Sequence, residues 1–386
     1  MLFVGIIVGL IVLVLLVVVH ELGHALVAKR NGVVVEEFGI GFPPTAKKWK
    51  PKKIVLGKNV IISLNWLPLG GFVKLKGEYD AARGKGTYGA STFWVKTKIL
   101  LAGVAMNWLV AVLLFTILAL IGLPKILPQQ VVLPFDSRVE RSALTIVTIQ
   151  PNSPATQAGL RQGDHLQSVG GQTIATPSEL VATTKERAGQ TVDISLVRNG
   201  RPLTVSAQLR TQDQAKSGGY LGVGSQQSEK IYSTWSAPLA AVATTSQLTY
   251  ETLKGVGTVL VKSVCGFFGQ FVGSDSSRQA ARADLANVSE NVAGPIGILG
   301  VLFPSVVDHG IDQVILLAAI ISLTLAVMNI LPIPALDGGR WATMAGFRLF
   351  GKSLTKEREE TVQATGMLIL LTLTLIITAN DIGKLF

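Results

Sequence analysis

Charge is what this chain of 386 residues has least of. Asp, Glu, Lys and Arg make up 15% of it, whereas soluble domains carry about 25%. With 48% hydrophobic residues and a mean hydropathy of +0.46, the chain is not disordered, and its missing charge has to be concentrated in stretches that never meet water. There is one cysteine, Cys265. That excludes an intrachain disulfide and any multi-cysteine metal site, and Cys265 reads as a small buried hydrophobe. The first apolar run has no basic n-region before it and is longer than a usual signal-peptide core, so it is expected to be a retained helix. Fixed-period repeats and low-complexity tracts are also lacking.

The charges that remain are unevenly placed. Residues 1–19 carry none, 26 uncharged residues separate Lys98 from Lys125, 24 separate Asp312 from Asp337, and 20 separate Glu360 from Asp381. A helix crosses a hydrocarbon core about 30 Å thick in roughly 20 residues, so four transmembrane helices are expected, at 1–28, 98–123, 311–336 and 361–380. The net charge of +11 comes almost wholly from one loop: residues 29–98 hold 14 basic and 4 acidic side chains, and residues 125–312 hold 15 and 14. Such an excess argues for membrane orientation and contact with the lipid bilayer, and no nucleic acid partner is expected. By the positive-inside rule, loop 29–97 is cytoplasmic and both termini and the 125–312 region lie outside.

Between these spans the chain changes character. Loop 29–97 reads as turn-rich at 38–44 with short strands at 54–56, 59–63 and 71–75, and its apolar stretch 66–72 suits a β-hairpin at the membrane interface with Trp66 at headgroup depth. Residues 143–211 read as a small α+β module, with strands at 143–149, 191–197 and 203–209 and a helix over 178–188. Residues 212–310 are expected to be extracytoplasmic, with amphipathic helices over 238–271 lying on the membrane surface and a polar connector at 274–282.

The chemistry gathers at the inner end of the first span, in His20-Glu21-Leu22-Gly23-His24. On a helix the two histidines lie one turn apart on one face, so both imidazoles can reach one metal while Glu21 projects beside them, the HExxH arrangement of zinc hydrolases. Ionisable side chains inside a span are expensive and functional by default. Catalytic zinc takes three protein ligands and leaves a position for water. His165 and His309 fall in the outer region and read as surface histidines. Asp337 stands at the inner end of the third span, at the depth of the two histidines, with Pro332 and Pro334 before it and Gly338 and Gly339 after it to unwind the backbone. Alone it would read as a solvated helix cap; matched in depth, it is the preferred third ligand. Gly103 and Asn107 lie four apart on the second span, suited to close helix approach and an interhelical hydrogen bond, which packing alone also explains.

Taken together, the pentapeptide 20–24, Ala102-Gly103-Val104-Ala105-Met106-Asn107, and the run from Asn329 to Gly339 resemble the site-2 protease family, in its bacterial RseP/RasP-like zinc intramembrane type. Segments 39–44, 69–73, 294–298 and 380–381 resemble further landmarks of that family in the expected order. The module at 143–211 is similar to a single PDZ domain. Residues 220–224 read as a plain loop, with a carboxylate-binding turn as the alternative. The architecture this implies is an α-helical membrane protein of four transmembrane helices, with a membrane-associated β-hairpin loop and an inserted α+β PDZ-like domain, in a bacterial plasma membrane.

The resemblance implies one Zn²⁺ held by His20, His24 and Asp337, with Glu21 as the general base that later protonates the leaving amine. Asn329 or Asn107 would donate to the substrate, with Gly103 and Phe72 as further contacts, and the hairpin over 54–75 would offer an edge strand to an unwound substrate. The expected substrates are single-span membrane proteins, such as anti-sigma-factor-like regulators or signal-peptide remnants, with a peptide or protein ligand at the PDZ-like module. Two other classes compete. A non-catalytic membrane adaptor would have no use for Glu21, and a transporter would need a repeated architecture that is not visible.

Overall fold

The computed structural model describes residues 2–52, 55–57, 59–217, 219–269 and 294–383. The chain forms two compact units, Met1–Leu118 with Ala237–Phe386, and Ala119–Ser236. Among the described residues, four helices are long and apolar enough to cross a membrane: Leu2–Arg30, Phe93–Ile121, Ile311–Ile330 and Lys356–Ala379. The expected connector at 274–282 and the residue Ile54 lie outside the described residues, as do the side chains of Cys265, Asn380 and Asp381.

Helix α1 (Leu2–Arg30) ends on Lys29 and Arg30, whose positive charge suits a helix C-terminus. Its Gly5 and Gly9 lie so close to Pro304 and Phe303 that an added Cβ would stand 2.4 and 2.5 Å from them, so small residues set the helix approach here.

Strands β1 (Val35–Trp49) and β2 (Ile61–Leu75) are longer and more irregular than the short strands expected. Residues 38–44, expected as turns, lie within β1, and residues 55–57 belong to neither strand. The register explains the length. Phe38 pairs with both Val73 and Ile62, while Lys48 returns to pair with Ser63. Both strands therefore fold back, and the layers run 45–49, 61–65, 37–40, 71–75. The outer edges are 45–49 and 71–75, so residues 60–63 are interior. The bend at Gly41 needs glycine, since its φ is +79° and a Cβ would lie 2.6 Å from the Leu67 carbonyl oxygen. Helix α2 (Phe93–Ile121) follows.

The second unit has two sheets. Strands β3 (Leu123–Pro124) and β4 (Arg138–Arg141) flank a later strand in one of them. The other is built from β5 (Leu144–Ile149), β6 (His165–Val169), β7 (Gln172–Thr173), β8 (Thr191–Arg198) and β9 (Arg201–Gln208), with helices α3 (Pro154–Gln157) and α4 (Pro177–Glu186) between strands. Ser153 and Thr176 cap the two helices, each side chain accepting from a backbone N–H in the first turn, with proline following, the usual N-terminal chemistry. Residues 223–224, read as loop, belong instead to strand β10 (Val223–Gln226), which pairs antiparallel with β5 and completes the order β10-β5-β6-β8-β9, with β7 on β6. Strand β11 (Glu229–Tyr232) lies between β3 and β4. Leu144, Ile146, Ile194 and Leu196 form the centre of this unit's core.

Residues 237–269 make one helix, α5 (Ala237–Gly269), rather than several. It does not lie apart as a surface layer: Thr249 accepts from Trp108 Nε1 of α2 at 3.2 Å, and an apolar groove runs between α5, α2 and the third apolar helix. A short helical run, α6 (Pro295–Gly297, Ile298–Leu302 and Phe303–Val307), leads to α7 (Ile311–Ile330), α8 (Asp337–Leu349) and α9 (Lys356–Gly383).

Candidate metal centre

The helical periodicity of α1 brings His20 and His24 onto one face. The turn after α7 brings Asp337, first residue of α8, against them. Asp337 Oδ2 lies 3.1 Å from His20 Nε2 and 3.2 Å from His24 Nε2, and the two Nε2 atoms are 3.2 Å apart. Among the described residues, this is the group of His, Cys, Asp and Glu able to share an ion. Ligand atoms about 2.0–2.1 Å from a tetrahedral zinc would be roughly 3.3 Å apart, so the three atoms have the spacing of one tetrahedral face. Asp337 Oδ2 is buried and has no hydrogen-bond partner, which is costly unless a cation completes it. The residues fit zinc.

The other ring nitrogens are held as metal-binding histidines require. His24 Nδ1 donates to the Ile99 carbonyl at 2.7 Å, leaving the Nε2 lone pair aimed at Asp337. His20 Nδ1 is 3.4 Å from the Asn107 side-chain nitrogen, while Asn107 Oδ1 is buried without a partner. Turning that amide over, which exchanges two atoms of nearly equal size, lets Oδ1 accept from His20 Nδ1–H and satisfies both groups. Asn107 is 1% exposed, and in that orientation its carbonyl oxygen serves His20.

Glycine makes the approach possible. A Cβ on Gly103 would stand 2.5 Å from His24 Nε2 and 2.6 Å from His20 Cε1, and one on Gly23 would stand 2.6 Å from the Ala102 carbonyl oxygen. Gly103 therefore makes room for the imidazoles and does not contact a substrate through a side chain. Glu21, His24 and Asp337 share a cavity of about 130 Å³ with Val73 and Leu75 of the edge 71–75. Asn329 is half-buried and donates to the Leu325 carbonyl in its own helix at 3.0 Å. Phe72 packs its ring over Gly39, where a Cβ would be 2.3 Å away. His165 pairs with Thr145 at 2.8 Å within the second unit, and His309 with the Ser305 carbonyl at 2.6 Å; neither belongs to the triad.

A buried polar group stands beside the centre. Arg340 lies over the Tyr88 ring at 5.0 Å, and Lys96 pairs with Asp80. Burial opposes charge on the Arg340 guanidinium, but Tyr88, Glu359 and Glu78 more than offset it and raise its pKa. Burial pushes the Tyr88 phenol above its ordinary range. Sequence reasoning missed this group and the Ile99 carbonyl. Backbone acceptors carry no side-chain signature, and partners as far apart as Tyr88 and Arg340 have no common spacing.

Residues 8–373 match Peptidase family M50. The regulator of sigma-W protease RasP of Bacillus subtilis is 26% identical, covering 96% of each chain. The zinc metalloprotease RasP of Geobacillus kaustophilus is 27% identical, again covering 96% of each. Among solved structures, the PDZ domain of the SdrC-like protein from Listeria innocua aligns with 22% of this chain and 94% of that one, at 20% identity and a TM-score of 0.20.

Proposed function

This chain belongs to peptidase family M50, the zinc metalloproteases of site-2 type, and from that premise we propose that it hydrolyses peptide bonds within or beside the membrane-crossing segment of single-span proteins in a bacterial membrane. The observation that carries the reading is the convergence of His20, His24 and Asp337 at the end of an apolar helix. These three would hold zinc, which when bound supplies Lewis acidity toward water and the scissile carbonyl.

Glu21 is the general base. It takes a proton from the attacking water and delivers it to the amide nitrogen as the carbon–nitrogen bond breaks. The Nδ1–H groups of His24 and His20, held by Ile99 and Asn107, keep the imidazoles in the metal-binding tautomer. A substrate helix hides its peptide bonds in its own hydrogen-bond ladder, so it must unwind. The outer edge 71–75, which pairs with no further strand among the described residues and lines the cavity with Glu21 through Val73 and Leu75, supports capture of the unwound segment by strand addition. Residues 60–63 are interior and take no part in it. Asn329 and the amide NH2 of Asn107 are the candidates for a substrate hydrogen bond.

The orientation follows the charge pattern: the centre lies near the cytoplasmic face, and the module at 143–211 and both termini lie outside. That module reads as PDZ-like, a filter for substrates already trimmed outside the membrane. The strand β10 beside β5 supports a peptide groove there. The printed name of the Bacillus subtilis relative, regulator of sigma-W protease, favours anti-sigma-factor-like substrates.

The experiment is cleavage of a single-span reporter by full-length protein in membranes. Glu21→Gln should keep its zinc and lose about 10²–10⁴ in rate; retained cleavage would overturn Glu21 as the base, and a parent chain that leaves the reporter intact would sink the protease reading and leave the adaptor reading. In the same assay Val73→Pro should slow turnover if the edge pairs with substrate, and deletion of 143–211 should admit untrimmed substrates if the module is a filter.

A further inference from the structure

The last helix grips the turn that carries Asp337 at three positions spaced i, i+4 and i+7, which fall on one helical face. Glu359 is 3% exposed; its Oε1 accepts from Arg340 Nε at 3.1 Å and its Oε2 from the Asp80 backbone N–H at 2.8 Å. One turn on, Gln363 Oε1 accepts from the backbone N–H of Ala335 at 2.7 Å. Beyond that, Gly366 lies so close to Pro334 that an added Cβ would stand 2.4 Å from its Cβ and its carbonyl oxygen. The contacts bracket Asp337: Pro334 and Ala335 precede it, and Arg340 follows it by one turn of α8.

That turn needs outside support. Ala335 has a φ of +79°, a left-handed conformation that residues with a Cβ rarely adopt. Leu336 makes no side-chain cap at the start of α8. Gly338 and Gly339 pack directly on the Ile330 and Ile333 carbonyls, so the turn has no slack to absorb a shift.

We propose that Glu359, Gln363 and Gly366 of α9 are positioning residues that hold the 334–340 turn so that Asp337 Oδ2 faces both imidazole Nε2 atoms, which makes the zinc affinity of the centre depend on the docking of the last helix. The inference rests on the reading of Asp337 as a metal ligand. Partners that orient metal ligands change metal affinity by about 10–100-fold when lost, and that is the effect expected here.

The test uses the full chain in detergent, with zinc affinity measured by competition against a chromophoric chelator and ligand geometry by the visible absorption of the cobalt-substituted protein. Gln363→Met keeps the length and removes the acceptor; it should lower zinc affinity by about 10–100-fold and alter the cobalt spectrum. Gln363→Glu keeps an acceptor oxygen, and Gln363 Nε2 has no hydrogen-bond partner, so this variant discards no bond and should stay within a few-fold of the parent. Parental affinity and spectrum in Gln363→Met overturn the proposal. Equal loss in both variants also overturns it, because it marks a packing role in place of the hydrogen bond. Asp337→Ala separates the two levels: if that chain keeps parental zinc affinity, the ligand assignment itself falls, whatever the Gln363 variants do.

Discussion

Both units bury apolar side chains, but they differ in what they leave exposed. In Ala119–Ser236 the sheet closes over Leu144, Ile146, Ile194 and Leu196, each no more than 2% exposed, and Asp164 sits buried on Arg198 with an Nη2–Oδ2 distance of 2.7 Å. In the helical unit Leu15, Leu113 and Leu368 are all more than half exposed, while His20, His24 and Asn107 are 7% exposed or less. Water drives apolar side chains inward in the first unit. Lipid is as apolar as leucine, so between the apolar helices burial is a weaker driving force, and close glycine contacts and polar pairing add to the apolar packing of the interior. Leucines of the sheet core are buried, whereas Leu15, Leu113 and Leu368 form exposed apolar surface on the helical unit.

The sharpest way to break this comparison is at Gly103. If packing at glycine shapes the helical interior, Gly103→Ala, whose Cβ would meet both imidazoles, should cost at least about 100-fold in zinc affinity. Chelator competition measures it, and near-parental affinity would mean that the imidazoles have room the close approach denies them.

A smaller effect sharpens the contrast in apolar burial. Ile194→Ala, in the core of the sheet unit, should destabilise that unit by about 2–5 kcal/mol, whereas Leu113→Ala, outward on α2, should change stability by no more than about 0.5 kcal/mol. Denaturant unfolding of the full chain, followed by probes placed in each unit, compares them, and equal effects would erase the distinction.

The smallest effect concerns the buried ion pair. Burial pushes the Asp164 carboxyl up, but the Arg198 ion pair and the Arg161 N–H outweigh it and hold the carboxyl below its ordinary range. A depressed folded pKa means that the stabilisation is complete above the unfolded value, about 3.9, and is lost as pH falls through the folded one. The sheet unit should therefore weaken on acidification below about pH 4. Asp164→Asn should reduce stability at neutral pH by on the order of 1 kcal/mol and flatten that acid limb, as read from melting temperature against pH.

Much of the candidate site was legible because its signals are local or depth-matched. The pentapeptide 20–24 needs only helical periodicity to bring its histidines together, and the charge gaps put Asp337 at the same depth. Asn107 was visible as a polar residue on a span, but its partner was not, because the bond to His20 depends on how α1 and α2 cross. The loop at 38–75 was misread in its strand limits, since a strand that folds back and pairs on both sides shows no simple alternation. Residues 223–224 looked like loop because their partner β5 lies far earlier in the chain. The run 238–271 suggests amphipathic surface helices because Thr, Lys and Gly punctuate it; the structure makes 237–269 one helix, with Thr249 bonded to Trp108 of α2.

The order of residues by itself determined that this chain has apolar helices long enough to cross a membrane, an excess of positive charge confined to one loop, and two histidines and a glutamate on one helical turn, because charge, hydropathy and the 3.6-residue period are properties of contiguous sequence. Tertiary structure alone decided that Asp337 comes within 3.2 Å of both imidazoles, that Asn107 lies beside His20, that 71–75 is an outer edge among the described residues, and that the last helix packs on the turn before α8. Each of these depends on segments tens to hundreds of residues apart meeting within a few ångströms, and such meetings are set by packing and have no local spacing to announce them.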